Sequence, residues 1–249
     1  MMEKELKDFI LMMADNVMIL GQRLGEWCGH GPVLEQDIAM TNIALDLIGE
    51  ARNYYRYLGE TEGKKEDEYP MKRDVRDYKN VLLAELPNGH WGDTIMRQCM
   101  FDCYHYYLLE GMMVSENERL AAIAKKSIKE ATYHLAFSSE WVIRLGDGTA
   151  ESHHKMQQSL QNLLPYFNEM FDPETYEIWC QNRNIAPSLE DVRSSAMEKF
   201  NAIIVESTLQ MSEKYYSKKG GKTGLHTENL GFILADMQYL QRSYPGVEW

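Results

Sequence analysis

The apolar positions of the chain recur mostly three or four residues apart, and its glycines and prolines fall mainly between the periodic segments. Long helices are predicted over 6–28, 33–58, 93–114 and 117–145, and shorter ones over 76–86, 152–170, 173–183, 189–213 and 227–242. No segment alternates apolar and polar residues convincingly enough to predict a β-strand. The pattern therefore predicts an all-α chain in which four long helices form a bundle.

The second predicted helix places Ile38, Leu45, Ile48 and Tyr55 on one face, at steps of seven, three and seven residues. Such a stripe is typical of a helix packed on a core, so this face is predicted to be buried. Residues 59–74 are charged and break the helical pattern, and they are predicted to form an exposed connection.

A chain of 249 residues with 44% hydrophobic content can bury a sizeable core. We predict one domain over 1–249, with the core bundle over about 6–145 and additional C-terminal helices over about 152–249. Residues 43–55 and 123–135 match at five of thirteen positions. This internal similarity favours two helical hairpins related by a pseudo-repeat.

The formal net charge of −12 disfavours nucleic acid as a partner, because binding its backbone requires clustered Lys and Arg. The four cysteines lie in apolar segments without a Cys-x-x-Cys pair and are predicted to be reduced core residues. The N-terminal stretch carries acids on both sides of its apolar run, unlike a signal peptide, and no segment approaches the ~20 apolar residues of a membrane span. A soluble, cytoplasmic protein is predicted.

The stretch "IKEATYHL" contains Glu130 and His134, which nearly form the Glu-x-x-His pair of a di-iron bundle. Such a bundle takes one pair from each of two helices and a further Glu from each of the other two. Here the two residues are four apart, and on the second helix Glu50 is followed three residues later by Asn53. Six ligands cannot be assembled in any register, so we predict no metal site.

The other inward polar candidates are Asp15, Asp46, Asp102 and His105. Together with Glu130 and His134 they form either a solvated face or a mutually hydrogen-bonded polar core, and the polar core is favoured for Glu130 and His134. We interpret Asp46, Asp102, His105, Glu130 and His134 as vestigial metal-site positions. No catalytic residue is nominated.

Two further motifs have explanations that require neither a metal site nor a phosphate site. The literal Glu-x-x-His of Glu151 and His154 lies just after a Gly-containing turn, where an acid is expected in the first turn of a helix. The "KKGGKTG" stretch lacks the first glycine and the preceding strand of a phosphate loop. Its lysines, Lys218, Lys219 and Lys222, remain available for an anion or an acidic partner.

Four segments and the final Trp249 closely resemble the C-subunit family of ring-1,2-phenylacetyl-CoA epoxidase, the phenylacetate-CoA oxygenase component PaaC. The segments are "QRLGEWCGHGPVLEQDIAMTNIALDLIGEARN", "LPNGHWGDTIMRQ", "IKEATYHL" and "GKTGLHTENLGFILADMQYLQRSYPG". The resemblance implies a ferritin-like fold that has lost its irons, in agreement with the ligand count.

The same resemblance implies a structural subunit in phenylacetate degradation, without a cofactor of its own. It would form a tight complex with the catalytic A subunit, which holds a di-iron centre and inserts oxygen into the ring of phenylacetyl-CoA. The B subunit and a reductase would join through that complex.

The resemblance also implies contacts with the CoA part of the substrate from two short segments. They are Asp77, Tyr78, Lys79 and Asn80, and Ile178, Trp179 and Cys180. The acid at 77 and the Cys at 180 depart from side chains that would bind a phosphate, so backbone or apolar contacts are favoured there.

Two other functions stay open at this point. One is a self-sufficient ferritin-like di-metal oxidase or oxygenase that uses Glu130, His134, Asp102 and His105 as unusual ligands. The other is a helical scaffold unrelated to oxygen chemistry. Whether the chain is itself an enzyme is therefore left undecided.

Overall fold

The computed structural model describes residues 2–212 and 215–247. Its helices are α1 (Lys4–Gly25), α2 (Leu34–Glu62), α3 (Glu68–Lys72), α4 (Leu82–Glu85), α5 (Trp91–Met112), α6 (Glu118–Gly146), α7 (Ala150–Phe167), α8 (Thr175–Gln181), α9 (Leu189–Glu206), α10 (Glu228–Met237) and α11 (Tyr239–Ser243). Short 3-10 turns span Val75–Asp77, Asn168–Phe171 and Gly221–Thr223. The part of the chain that is described contains no strand, so the all-α prediction is confirmed.

The chain forms two compact units, Met1–Pro87 with Lys219–Trp249, and Asn88–Lys218. In the first unit α1 packs along α2, and α4 and α10 pack against α1. In the second unit α5 is central and packs against α6, α7 and α9. These units differ from the predicted order of a bundle followed by additions, and the single domain stays a prediction.

Local signals explain where several helices begin and end. His90 and Asp93 form a reciprocal capping box at the start of α5, with bonds of 3.2 and 3.1 Å. Asn117 caps α6 by accepting the amide of Leu120 at 3.1 Å. Gly63 ends α2 in the left-handed region at φ 68°, which a glycine adopts without strain.

The predicted core face of α2 is wrong for two of its members. Ile38 and Leu45 are exposed and Ile48 is half-buried, while Tyr55 is buried. The buried side chains of α2 are Met40, Ile43, Ala44, Leu47, Glu50, Ala51, Tyr54, Tyr55, Leu58 and Gly59. The helix has apolar residues on more than one face, so the sequence periodicity alone selected the wrong one.

Other differences have local causes. Tyr69 is buried and stacks on Tyr55 at 5.8 Å between ring centroids, so the connection predicted to be exposed is partly core. Cys99, Cys103 and Cys180 are free and buried, as predicted, whereas Cys28 is free and exposed.

The predicted helix boundaries are corrected at three places. The helix predicted over 189–213 ends at Glu206, just before Thr208 with φ 59°, and its predicted last residue lies outside the described residues. The one predicted over 227–242 is divided at Gln238, and the one over 76–86 is replaced by a turn and α4. Trp249, which carries part of the resemblance, also lies outside the described residues.

Candidate functional site

A cleft of about 540 Å³ opens on the first unit, where the start of α1 meets the end of α2 and the segment after it. We call it the basic cleft, and its lining residues are Lys4, Lys7, Asp8, Leu11, Lys64, Glu68, Tyr69, Lys72, Arg73, Arg76, Asp77 and Lys79. Seven of them are Lys or Arg and three are Asp or Glu, in a chain whose net charge is −12. Such a concave excess of positive charge attracts anions locally, whatever the net charge of the chain.

Most cations of the basic cleft lie near a carboxylate. Lys7 pairs with Glu62, Lys72 with Glu68 at 3.1 Å, and Lys79 with Asp8 at 3.7 Å. Burial raises the pKa of Glu62, but hydrogen bonds from Lys7, Lys64 and Tyr69 outweigh it and hold that pKa at about 2. Partly exposed ion pairs of this kind contribute little to stability. An anionic ligand can therefore replace the carboxylate beside one of these lysines at little cost in free energy.

Arg73 is fixed beneath the cleft by Asp15. Asp15 is fully buried on α1 and accepts hydrogen bonds from both terminal nitrogens of Arg73, one of them at 2.9 Å. Tyr55 donates to the same carboxylate at 2.6 Å. Burial lowers the pKa of Arg73, but the charge of Asp15 outweighs it and keeps that pKa above its usual range. Of the two alternatives left open for Asp15, a solvated face or a polar core, the structure shows a buried carboxylate in an ion pair.

The predicted CoA-contact segment 77–80 forms one wall of the basic cleft and is held through its backbone. The amide of Lys79 donates to Asp15 at 2.9 Å, and the carbonyl of Tyr78 accepts from His226 at 2.9 Å. The side chains of Tyr78 and Asn80 are buried, whereas Asp77 is exposed and Lys79 is half-buried. In this segment, a ligand can thus contact the side chains of Asp77 and Lys79.

His226 joins the C-terminal segment to this wall through Glu85. Its Nδ1 lies 2.7 Å from Glu85 Oε2, and Glu85 also accepts the amide of Thr227 at 2.6 Å and the side-chain amide of Asn80 at 2.9 Å. Burial lowers the pKa of His226, but the hydrogen bond and charge of Glu85 outweigh it, so that pKa is raised.

The glycine-rich stretch buries one of its three lysines. Lys222 is buried in the first unit, and Lys218 belongs to the second, where it donates to the Tyr166 hydroxyl at 3.0 Å. The function of the glycines is instead steric, because a Cβ on Gly221 would overlap the carbonyl oxygen of Asn80. Burial removes Lys222 from the expected anion site, whereas Lys218 and Lys219 are exposed and their part in it stays a prediction.

The second predicted CoA-contact segment lies on α8 in the second unit. Ile178 is exposed, Trp179 is half-buried and Cys180 is buried. The guanidinium of Arg183 lies 3.9 Å from the ring centroid of Trp179, a cation–π contact that fixes the indole. Ile178 and Trp179 are therefore accessible for an apolar contact with a ligand. The buried side chain of Cys180 is not.

A buried polar cluster in the second unit centres on Asp102 of α5. Gln98 and Ser138 each donate to its carboxylate at 2.7 Å. Burial raises the pKa of Asp102 to about 6, against the opposing effects of His134, Ser138, Gln98 and His105. Like Asp102, His105 and His134 are buried.

The other two residues interpreted from the sequence as vestigial metal-site positions are less enclosed. Glu130 is half-buried on α6, and Asp46 is half-buried on α2 in the other unit. Across 2–212 and 215–247, no three His, Cys, Asp or Glu side chains converge as a metal ion would require. In the same ranges no helix is long and apolar enough to cross a membrane.

Sequence reasoning missed most of the basic cleft and two members of the buried cluster. Gln98 lies four residues before Asp102, and Ser138 four residues after His134, so both share a helix face with a nominated residue. The cleft had a weaker signal, the lysines and arginines of 64–79 inside an acidic chain. Lys4 and Lys7 are remote in sequence and could be added only by the fold.

Comparison with known proteins agrees with the resemblance. The family model described as phenylacetic acid catabolic protein matches residues 1–249. The C subunit of the 1,2-phenylacetyl-CoA epoxidase of Escherichia coli (strain K12) is 46% identical over 246 residues, covering 98% of this chain and 99% of the relative. That family has a ferritin-like helical fold, so the predicted fold class is confirmed.

Proposed function

Because the chain belongs to the phenylacetic acid catabolic protein family, we propose that it is a non-catalytic structural subunit of a phenylacetyl-CoA epoxidase complex. In this role it stabilises and shapes a catalytic A subunit that holds the di-iron centre. A B subunit and a reductase complete the complex, and the chain supplies part of the surface that holds the CoA end of the substrate.

The observation that carries the proposal is the similarity, over 98% of this chain, to the C subunit of the Escherichia coli epoxidase. A second observation supports the non-catalytic role. Of the side chains nominated as ligands, Asp102 is already bonded to Gln98 and Ser138, and Glu130 is half-buried on α6.

The basic cleft supports a role in binding CoA. The phosphates of CoA carry its negative charge at the nucleotide end, and Lys and Arg side chains are the usual partners of phosphate. Lys79 and Asp77 belong both to this cleft and to the segment that the resemblance implies for CoA. We assign the phosphates to the cleft cations and leave the acyl end to the A subunit.

An omission experiment tests the structural role. The A and B subunits and the reductase are assayed for phenylacetyl-CoA-dependent oxygen consumption with and without this chain. We expect turnover to require the chain, and A alone to lose solubility or iron. Equal turnover by A, B and reductase without the chain would contradict the proposal.

Paired substitutions test the CoA assignment. Lys4→Gln with Arg76→Gln removes two exposed cations of the cleft, and Lys125→Gln with Lys126→Gln on exposed positions of α6 is the matched control. We expect KM for phenylacetyl-CoA to rise roughly tenfold in the cleft pair with kcat unchanged, because uniform binding is lost. An equal change in both pairs would indicate bulk charge rather than a cleft.

A further inference from the structure

The N-terminal half of α2 presents an apolar face to solvent. Leu34, Ile38 and Leu45 are 70%, 52% and 61% exposed, and the described chain leaves them uncovered. All three lie on the same side of the helix, since the steps of four and seven residues between them are close to whole turns. We call this face the α2 seam. Exposed apolar side chains in such a row typically mark a surface that another helix covers.

Gly49 is an independent observation on the same face. It is exposed in the middle of α2, one turn after Leu45, and a Cβ added to it would meet no atom within 4 Å. A glycine costs stability inside a helix relative to alanine, and nothing in the described chain requires one here. A small residue beside exposed apolar ones lets a second helix approach closely.

Asn42 completes the pattern between Ile38 and Leu45. It is exposed on the same side of α2. Thr41, which is half-buried, lies on the other edge of the same side. A polar residue within an apolar helical seam is a known device for fixing the register of two packed helices, at some cost in stability. The face therefore combines apolar contact, a close-approach position and a register-setting amide.

Charge on the flanks selects the kind of partner. Glu35 and Asp46 lie on one flank of the α2 seam, and Asp37 lies on the other. Two copies packed antiparallel, with Ile38 opposite Leu45, would bring Glu35 of one beside Asp46 of the other. Parallel packing would bring Glu35 beside Asp37. Like charges at these positions oppose self-association.

We propose that the α2 seam receives an amphipathic helix of a different subunit, with Lys or Arg beside its apolar stripe and a bulky side chain opposite Gly49. This inference rests on the proposed function, because it takes the partner to be another subunit of the epoxidase complex. It also accounts for the core-like pattern of Ile38 and Leu45, which the partner buries.

The test uses the chain coexpressed with its cognate A subunit. Gly49→Leu places a bulky side chain where the partner helix approaches α2 most closely. Gly231→Leu is the matched control, since Gly231 is also a helical glycine with nothing within 4 Å of a Cβ. Affinity for A is measured with purified proteins, and the thermal midpoint of the isolated chain is measured alongside. Leu45→Gln is a second seam variant, which replaces an apolar side chain by a polar one of similar size.

We expect Gly49→Leu and Leu45→Gln to weaken binding to A at least tenfold without lowering the thermal midpoint, and Gly231→Leu to bind as the unmodified chain does. Unchanged affinity of both seam variants would overturn the inference and leave the proposed function standing. An unmodified chain that binds no A subunit would instead contradict the proposed function. A concentration-dependent dimer abolished by Gly49→Leu would overturn the choice of partner.

Discussion

At the scale of single residues, Asp15 determines whether Arg73 can remain beneath the basic cleft. Its carboxylate binds Arg73, the hydroxyl of Tyr55 and the amide of Lys79 at once. Removing one member of a buried ion pair leaves the other charge without compensation, which is more costly than the loss of the pair itself.

We predict that Asp15→Asn lowers the free energy of unfolding by about 3 kcal/mol, because the half-buried Arg73 loses its carboxylate partner. Urea denaturation of the isolated chain measures it. Asp74→Asn is the control, since Asp74 pairs with Arg242 at 2.7 Å on the surface, and it should cost less than about 1 kcal/mol. Equal losses in the two variants would contradict the importance of burial.

Asp102 gives a prediction about pH. Its pKa is raised by burial from the ordinary value of 3.8 to about 6, so the folded state holds a proton that the unfolded state releases between these values. The contribution of Asp102 to stability is therefore greatest below pH 3.8 and is lost as pH rises through about 6.

Asp102→Asn, which does not ionise, should gain about 2 kcal/mol relative to the unmodified chain between pH 4 and pH 7. The measurement is the difference in free energy of unfolding between the two proteins across that range. A pH-independent difference would show that folding leaves the pKa of Asp102 unchanged. A decreasing one would show that its pKa is lowered.

At the scale of elements, the 3-10 turn Gly221–Thr223 lies directly against the wall formed by 77–80. A Cβ on Gly221 would overlap a backbone carbonyl oxygen, which cannot rotate away as a side chain could. The contact is short because the missing side chain allows the two backbones to approach.

We predict that Gly221→Ala lowers the thermal midpoint by several degrees, because the backbone of 220–222 or of 80–82 must move. Gly231→Ala should leave the midpoint unchanged or raise it, since its Cβ meets nothing within 4 Å and alanine favours the helix. Differential scanning calorimetry of the three proteins checks both. A stable Gly221→Ala variant would show that this close approach is not required.

How far the elements could be predicted depends on whether the signal was local. Long helices such as α5 and α6 begin at side-chain caps and carry continuous periodicity, so their bounds were predicted within two residues. Which face of α2 is buried depends on the position of α1, and no local signal in Ile38 or Leu45 contains that information. The division at Gln238 depends on hydrogen bonds to the distant carbonyls of Pro70 and Arg73.

At the scale of the whole molecule, charge and similarity give information that neither periodicity nor motif does. The net charge of −12 correctly described the average surface, yet it concealed a cleft with seven cations assembled from 4–7 and 64–79. The buried cluster was partly predicted because Asp102 and His134 are unusual on apolar helix faces. Its hydrogen bonds were not, because Gln98 and Ser138 have no metal-site spacing.

The central claim is that oxygen chemistry belongs to another subunit of the complex. Iron content, measured on the isolated chain after anaerobic loading with ferrous iron and on its purified complex with the A subunit, tests it most directly. We predict that the isolated chain retains no stoichiometric iron and does not convert phenylacetyl-CoA, whereas the complex binds two irons per A subunit. Two tightly held irons in the isolated chain, with turnover of phenylacetyl-CoA on addition of reductant and O₂, would contradict it.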